Sequence, residues 1–449
     1  MDDLPAMNIT RLPVDPGPAA WSAILPEPPA ADVLSGHRNA DWLVIGGGFA
    51  GLAAVRRLAQ LHPDARIVLL EARRIGEGPA GRNTGFMIDL PHDLASEDYG
   101  GAVAADQAQT RANRAAIDFA ADMAAEFQLP EEAFSQSGKT NAAATEKGHL
   151  HNIAYARHLG QMGEPFELLD GSRMREMTGT DYYRSGLYTP GTAMIQPAMF
   201  VRGVAAALRS NRVHIHEMSP VTALNRKGDW TATTPRGGVT APRVILAVNG
   251  HAESFGHFRG RLLHVFTYAS MTRALSSDEC RRLGGASSWG VTPADPMGTT
   301  VRRISGSGGH RIVVRNRFTF DPSMEVGARR ITRVARDHDR AFAARFPMLD
   351  SVDMEHRWGG RLCLSWNGVP ALGEVEERLF SACCQNGLGT AKGTLHGMLT
   401  ADLASGRDSA LLREVMDQPD PKRLPPGPLT YLAANAVMRW GEWKAGREL

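Results

Sequence analysis

Apolar and polar positions alternate along this chain with two periods, and the elements they predict follow a definite order. Trp42-Leu43-Val44-Ile45 is apolar at every position, as in a strand buried on both faces. The turn Gly46–Gly51 comes next, then a helical stretch. A second apolar run, Ile67-Val68-Leu69-Leu70, follows and ends at Glu71. Alanine-rich stretches at 102–128 and 142–162 predict helices, and Ala198–Ser210 predicts another with Pro197 at its start. Four short strands are expected at Val213–Glu217, Val221–Asn225, Trp230–Thr234 and Arg243–Ala247, parted by glycine turns. Further strands are expected at 262–272, 299–304 and 311–320, and a helix over 328–346. Near the end, Leu379–Cys383 reads as a buried strand. A glycine turn, Gln385–Thr390, and a helix to about Ser405 follow it. Residues 1–40 are rich in proline and alanine and lack either period, so they read as an extended surface arm.

The unit from 42 to 71 reads as strand, glycine turn, helix, strand, acid, and each part has a dinucleotide job. Gly46 permits a tight turn, Gly48 lets backbone approach a pyrophosphate, and Gly51 lets the helix pack close. The helix N-terminus offers N–H groups to phosphates. Glu71, 20 residues past Gly51, can accept hydrogen bonds from ribose hydroxyls. The competing reading is a glycine-rich turn in an ordinary βαβ unit, and the spacing alone does not choose between NAD and FAD. The long loop 72–85, joined directly to this unit, reads as a binding element. The turn at Gln385–Thr390 aims a second helix N-terminus at something electron-rich.

Composition narrows the field only a little. A chain of 449 residues has room for two or three domains, and 43% hydrophobic with 22% charged residues is ordinary for a globular protein. The formal charge of +2 gives no reason to expect nucleic acid or an anionic membrane. No apolar run reaches the roughly 18 residues of a membrane span. Met1-Asp2-Asp3-Leu4-Pro5 lacks the basic start of a secretory signal, so a cytoplasmic location is expected. Cys280, Cys363, Cys383 and Cys384 are too irregular for a disulfide framework or a metal site. Arg329, Arg333, Arg336 and Arg340 form one stripe on the 328–346 helix: a solvated face, or else a surface for an anionic partner.

The residues also carry a family resemblance. Asp41–Leu52 followed by Leu70-Glu71-Ala72 resembles the N-terminus of the D-amino acid oxidase-like (DAO) FAD-dependent oxidoreductases. Ala80-Gly81-Arg82-Asn83-Thr84-Gly85 is similar to that family's S-G-R-N-G-G element beside the isoalloxazine ring, with Ala80 and Thr84 replacing a serine and a glycine. Ser219-Pro220-Val221, the strand Arg243–Gly250, and Arg357-Trp358-Gly359-Gly360 resemble further family segments near the cofactor. So do Gly368–Gly373 and the closing turn Gly387–Thr394. The arm with Trp21, and Pro425–Leu429, look like the γ-glutamylputrescine oxidase branch.

The resemblance implies an α/β fold: a Rossmann-like FAD-binding domain interleaved with a β-sheet substrate (cap) domain. The FAD domain would comprise 37–92, 192–253 and 355–410, and the cap 93–191 and 254–354. An N-terminal arm, 1–36, and a C-terminal extension, 411–449, would flank them. It implies cofactor contacts at Gly46, Gly48, Phe49, Ala50, Gly51, Glu71, Ala72 and Arg73. Gly81, Arg82, Asn83, Thr84 and Gly85 would serve in the loop. Val221, Ala247, Asn249, Gly360, Gly387, Leu388, Gly389 and Thr390 would complete the set. Arg82 stands where some members link the flavin to histidine, and Cys363 is displaced from another branch's attachment point, so non-covalent FAD is expected.

The implied activity is oxidation of a C–N bond in a small amine or amino acid by hydride transfer to flavin N5. The resulting imine then hydrolyses, with O2 or another acceptor as oxidant. The alternatives are a flavin dehydrogenase of a 2-hydroxy acid and a non-catalytic flavin redox sensor. A substrate carboxylate would need an arginine on the sheet over the flavin. Arg302 and Arg303 alternate on one expected strand, so at most one faces the flavin. Tyr268 is a candidate polar contact, and Met87 and Ile88 are candidate walls. His264 and His310 are candidate bases, and Trp366 a candidate cover. Each of these has an ordinary structural reading as well.

Overall fold

The computed structural model describes residues 7–15, 17–91 and 101–449. The parts of the expected arm and cap that fall on 1–6, 16 and 92–100 lie outside the described residues.

Six strands form the sheet that carries the dinucleotide unit, in the order 213–216, 67–70, 42–45, 243–246, 379–383, 371–376. The first five are parallel and the last is antiparallel to its neighbour. The apolar runs are unbroken because both faces are covered. Trp42, Val44, Ile67 and Leu69 pack on one side with the Phe49–Leu61, Pro197–Leu208 and Ala391–Ala404 helices. Leu43, Ile45, Val68 and Leu70 pack on the other side against Leu224, Trp230, Ala232 and Val239 of a five-stranded sheet.

An eight-stranded sheet carries the rest, in the order 354–365, 262–272, 311–320, 300–304, 289–293, 139–143, 185–189, 167–170. Among the described residues its one parallel pairing joins 289–293 to 139–143. The Ala328–Arg345 helix covers the outer face of its long strands. The chain is thus mixed α/β, with a Rossmann-like unit beside a large, mostly antiparallel sheet.

Three local expectations need correction. The stretch 142–162 is not one helix: Lys139–Ala143 is a central strand, and the helix runs Glu146–Met162. The Thr145 side chain accepts a hydrogen bond from Gly148 N, a cap that starts the helix there. The strand expected at Val221–Asn225 instead spans Ala223–Lys227. The arm is not merely superficial. Ala19, Ala20 and Trp21 are buried, Met7–Asn8 pairs with Ala223–Leu224, and Gly36–Asn39 pairs with 237–240. Anchors this short leave no period in the sequence.

Candidate cofactor and substrate site

The Gly46–Gly51 turn sits at the C-terminal end of the Trp42–Ile45 strand, where open α/β sheets bind ligands. Gly46 has φ +106°, and a Cβ there would lie 2.5 Å from the Ala247 carbonyl oxygen. A Cβ on Gly51 would lie 1.8 Å from Gly46 O, so helix and turn touch backbone to backbone. No side chain caps the Phe49–Leu61 helix, whose first N–H groups face the cavity that Gly46, Gly48, Phe49 and Ala50 line. Glu71 closes this end. Its carboxylate accepts hydrogen bonds from Gly47 N at 2.7 Å and Arg73 N at 2.9 Å, and it lines the cavity beside Ala72 and Arg73. Burial pushes this carboxyl above its ordinary range, while the two N–H bonds pull the other way. Val221, Ala247 and Asn249 complete this wall.

The same cavity runs on to the late turn. Gly387, Leu388, Gly389 and Thr390 line it, ahead of the Ala391–Ala404 helix, which also has no side-chain cap. A Cβ on Gly389 would meet no atom within 4 Å, so this turn opens onto free space. Thr390 Oγ1 donates to Phe86 O at 2.7 Å, which ties the turn to the strand after the Gly81–Gly85 loop. Gln385 Oε1, on the cavity wall, is buried without a protein partner.

The loop between these ends is braced from behind. Asn83 and Thr84 line the cavity; Gly81, Arg82 and Gly85 do not. Asn83 Nδ2 donates to Ala80 O at 2.7 Å, and its Oδ1 accepts from Gly85 N at 2.8 Å. The left-handed residue is Gly85, at φ +80°, so Thr84 sits at an ordinary φ. Arg82 turns away: its guanidinium donates to Glu77 O at 2.7 Å and Gly359 O at 3.2 Å and pairs with Asp15 at 3.8 Å. Trp358 Nε1 donates to Arg82 O at 2.9 Å, and Trp21 Nε1 to Asn83 O at 2.7 Å. Gly360 lies against the back of this loop, where a Cβ would meet Arg82 O at 3.2 Å.

At the eight-stranded sheet the expected substrate residues are not at the cavity. Arg302 is a strut: its Nη1 donates to Thr84 O at 3.1 Å and Gly85 O at 3.3 Å, and also bonds Ile195 O. Its guanidinium lies 5.3 Å from the Trp21 ring, and burial lowers its pKa to about 10. Arg303 points the opposite way and donates to Gly284 O and, at 3.0 Å, to Ala286 O. Tyr268 lies in a cluster with Phe266, Val326 and Val334 beneath the Ala328–Arg345 helix, and its hydroxyl meets Thr319 Oγ1 at 2.6 Å. Met87 is a core residue. His264 meets Glu253 at 2.8 Å, away from the wall; His310 is also absent from the wall, and Trp366 is 61% exposed. Ile88 lines the cavity, as does Cys363, whose thiol is held well above its ordinary range by Cys384 and by burial.

Arg315 reaches the cavity, which neither Arg302 nor Arg303 lines. It lies on the Arg311–Phe320 strand opposite Thr300, lines the cavity, and stacks at 4.5 Å on Phe318. Thr292, Thr300, Phe86, Ile88 and Leu388 surround this end. Behind it, Thr292 Oγ1 donates to Asn141 Oδ1 at 2.7 Å and accepts from the buried Lys139 Nζ at 3.3 Å. Arg361 and His251 reach the wall as well; burial, then Arg361, lowers His251 to about 3, so its ring is neutral. Arg11 and Asp15 of the arm also line the cavity. Arg315 shares its sheet face with Val313, whereas Arg317 and Thr319 lie toward the Ala328–Arg345 helix, where they meet Asp337 and Tyr268.

The FAD dependent oxidoreductase (DAO) family profile matches residues 41–403. The chain belongs to the DAO family of FAD-dependent oxidoreductases. A probable oxidoreductase, OrdL, of Rhizobium meliloti is 24% identical over 414 residues, 89% of this chain and 91% of the relative. The gamma-glutamylputrescine oxidoreductase of Escherichia coli is 26% identical over 390 residues, 84% of this chain and 86% of the relative. In fold, the chain is similar to glycine oxidase from Geobacillus kaustophilus, with TM-score 0.70 at 20% identity. That match covers 86% of this chain and all of the other, 100%. L-proline dehydrogenase from P. horikoshii gives 0.66 at 16% identity, covering 86% and 98%. The residues present suit the DAO family's cofactor. One continuous cavity has an uncapped helix N-terminus and a glycine turn at each end, with an unpartnered buried Gln385 oxygen beside the late turn.

Proposed function

We propose that this enzyme oxidises the C–N bond of an amine or amino acid that carries an anionic group. The observation that carries the reading is Arg315, a guanidinium on the wall of the same cavity as both glycine turns. When bound, FAD supplies the acceptor for a hydride from the C–H beside nitrogen, and hydrolysis of the imine completes the reaction. Gly46, Gly48 and Glu71 would hold the nucleotide half, and Thr84, Gly387, Gly389 and Thr390 the flavin half. The expected domain assignment, with 37–92, 192–253 and 355–410 serving FAD, is part of the same proposal.

Groups at the substrate end have roles in this reading. Arg315 offers a fork that matches a carboxylate. The Arg315 cation disfavours an ammonium ion beside it, so the substrate amine reacts in its neutral form without a dedicated base. Phe86, Ile88 and Leu388 keep water from the reacting carbon. The relatives' printed activities, on γ-glutamylputrescine and on glycine, agree with a nitrogen-bearing substrate.

The test is anaerobic mixing of the holoenzyme with panels of amines, amino acids and 2-hydroxy acids while flavin absorbance is followed. Amines or amino acids with a carboxylate should bleach the flavin fastest. Bleaching by 2-hydroxy acids alone would move the reaction to C–OH oxidation.

A further inference from the structure

Two surface features take no part in the cofactor site, and they lie side by side. The first is the arginine row. Arg329, Arg333, Arg336 and Arg340 are all exposed on the outward face of the Ala328–Arg345 helix. The second is the Gly427–Ala445 helix, whose polarity is inverted. Its inner face carries polar anchors. Glu442 accepts from Arg317 Nη1 at 2.8 Å and Phe318 N at 3.0 Å, and Asn435 Oδ1 accepts from Phe320 N at 3.3 Å. Its outer face is apolar. Leu429, Leu432, Ala433, Ala436, Val437, Trp440 and Trp443 recur every three or four residues and are all exposed. Trp440 and Trp443 are 62% and 71% exposed and stack on each other at 5.0 Å.

A helix normally turns such a stripe inward. Singly scattered exposed apolar side chains are ordinary; a contiguous stripe of this kind marks an interaction surface. The two features are contiguous: Arg333, Arg336 and Arg340 line one groove with Arg439 of the apolar helix. The nearby carboxylates are already engaged. Asp337 pairs with Arg317 and Arg340, Asp339 with Arg357, and Glu442 with Arg317. Among the described residues, Arg329, Arg333, Arg336 and Arg439 make no ion pair. The surface therefore joins a tryptophan-rich apolar ridge to a row of uncompensated cations.

We infer that this face docks on a lipid bilayer that carries anionic headgroups. The ridge has what interfacial insertion requires. Trp and Leu side chains enter the headgroup–acyl boundary, and flanking cations meet lipid phosphates and carboxylates. No helix among the described residues is long and apolar enough to cross a membrane, so the contact is peripheral. The net charge of +2 conceals the patch because the acids that balance it lie elsewhere. A second copy of the chain would also cover the ridge, but it would give the arginine row no anionic match. Charge complementarity therefore favours the bilayer.

The experiment is co-sedimentation of full-length holoenzyme with phosphatidylcholine vesicles, with and without phosphatidylglycerol, alongside tryptophan emission. Binding should require the anionic lipid, weaken as salt rises, and shift the emission to the blue. Arg333→Gln with Arg336→Gln should weaken it about 25-fold, at about fivefold for each charge. Trp440→Ser with Trp443→Ser should abolish it. Both pairs should keep their bound FAD, which shows that they fold. Absence of binding to anionic vesicles at low salt would overturn the inference, as would equal binding to neutral ones. A dimer in sedimentation velocity that Trp440→Ser/Trp443→Ser dissolves, without vesicle binding, would assign the ridge to a second copy instead.

Discussion

At the six-stranded sheet the cavity wall is mostly backbone: Gly46, Gly48, the uncapped helix start, and a Glu71 held by two N–H groups. At the eight-stranded sheet it is side chains: Arg315, Thr292, Thr300 and Leu362. The first wall is tight at Gly46, where a Cβ would lie 2.5 Å from the Ala247 carbonyl oxygen. The second depends on which face each residue is on and where along the strand it stands. Arg302 and Arg315 share a face and differ in position along it. They sit on adjacent strands, yet one ties three carbonyls behind the loop and the other opens onto the cavity. On the proposed reading, backbone would hold the cofactor, and side-chain position on the eight-stranded sheet would decide what meets the substrate.

Breaking the backbone wall should have the largest effect. Gly51→Val places a Cβ inside contact with Gly46 O, and we expect a loss of about 3 kcal/mol or more, with no FAD retained after purification. Denaturant unfolding and the absorbance of the purified protein check this. The two arginines then separate strut from substrate contact. Arg302→Met removes the guanidinium from three carbonyls, of which Gly85 O keeps Ile195 N, and should cost about 2 kcal/mol in denaturant unfolding. Arg315→Met also gives up the Phe318 stack and should cost about 1 kcal/mol, well below Arg302→Met. It should raise KM for a carboxylate-bearing substrate about 10- to 100-fold. Reversed outcomes for this pair would contradict the assignment.

The smallest effect concerns Lys139, behind Thr292. Burial lowers its ammonium pKa from 10.5 to about 8. Between those values the unfolded chain holds a proton that the folded chain has released, so rising pH favours the fold. Below about 8 both states are protonated and the burial penalty stands in full. Lys139→Met should remove this slope, which is at most about 1.4 kcal/mol per pH unit. Unfolding of both proteins at several pH values across that window tests it.

The cofactor half was legible in sequence because its requirements are written in residue types. Only glycine fits at Gly46 and Gly51, and a two-sided strand has to be apolar at every position, as Trp42–Ile45 is. Glu71 was found by its spacing, although its carboxylate also braces the turn, which spacing does not reveal. The substrate half was poorly legible. Arg302, Arg303 and Tyr268 were chosen for chemistry and strand membership, but register turns Arg303 and Tyr268 to the other face, and Arg302, on the same face as Thr300, is spent on the carbonyls of Thr84, Gly85 and Ile195. Nothing in the sequence sets Arg315 apart from its polar neighbours Asn316 and Arg317. Trp21 and Asp15 were missed because isolated anchors in an aperiodic arm leave no pattern; what holds them is a contact far along the chain.

Gly389→Val tests the central claim most directly, because the protein itself leaves room for the new Cβ. If the late turn holds the flavin end of FAD, the apoprotein should unfold at the same denaturant concentration as the wild type. It should nevertheless fail to take up FAD in titration. Stoichiometric FAD uptake by Gly389→Val with unchanged affinity would contradict the account.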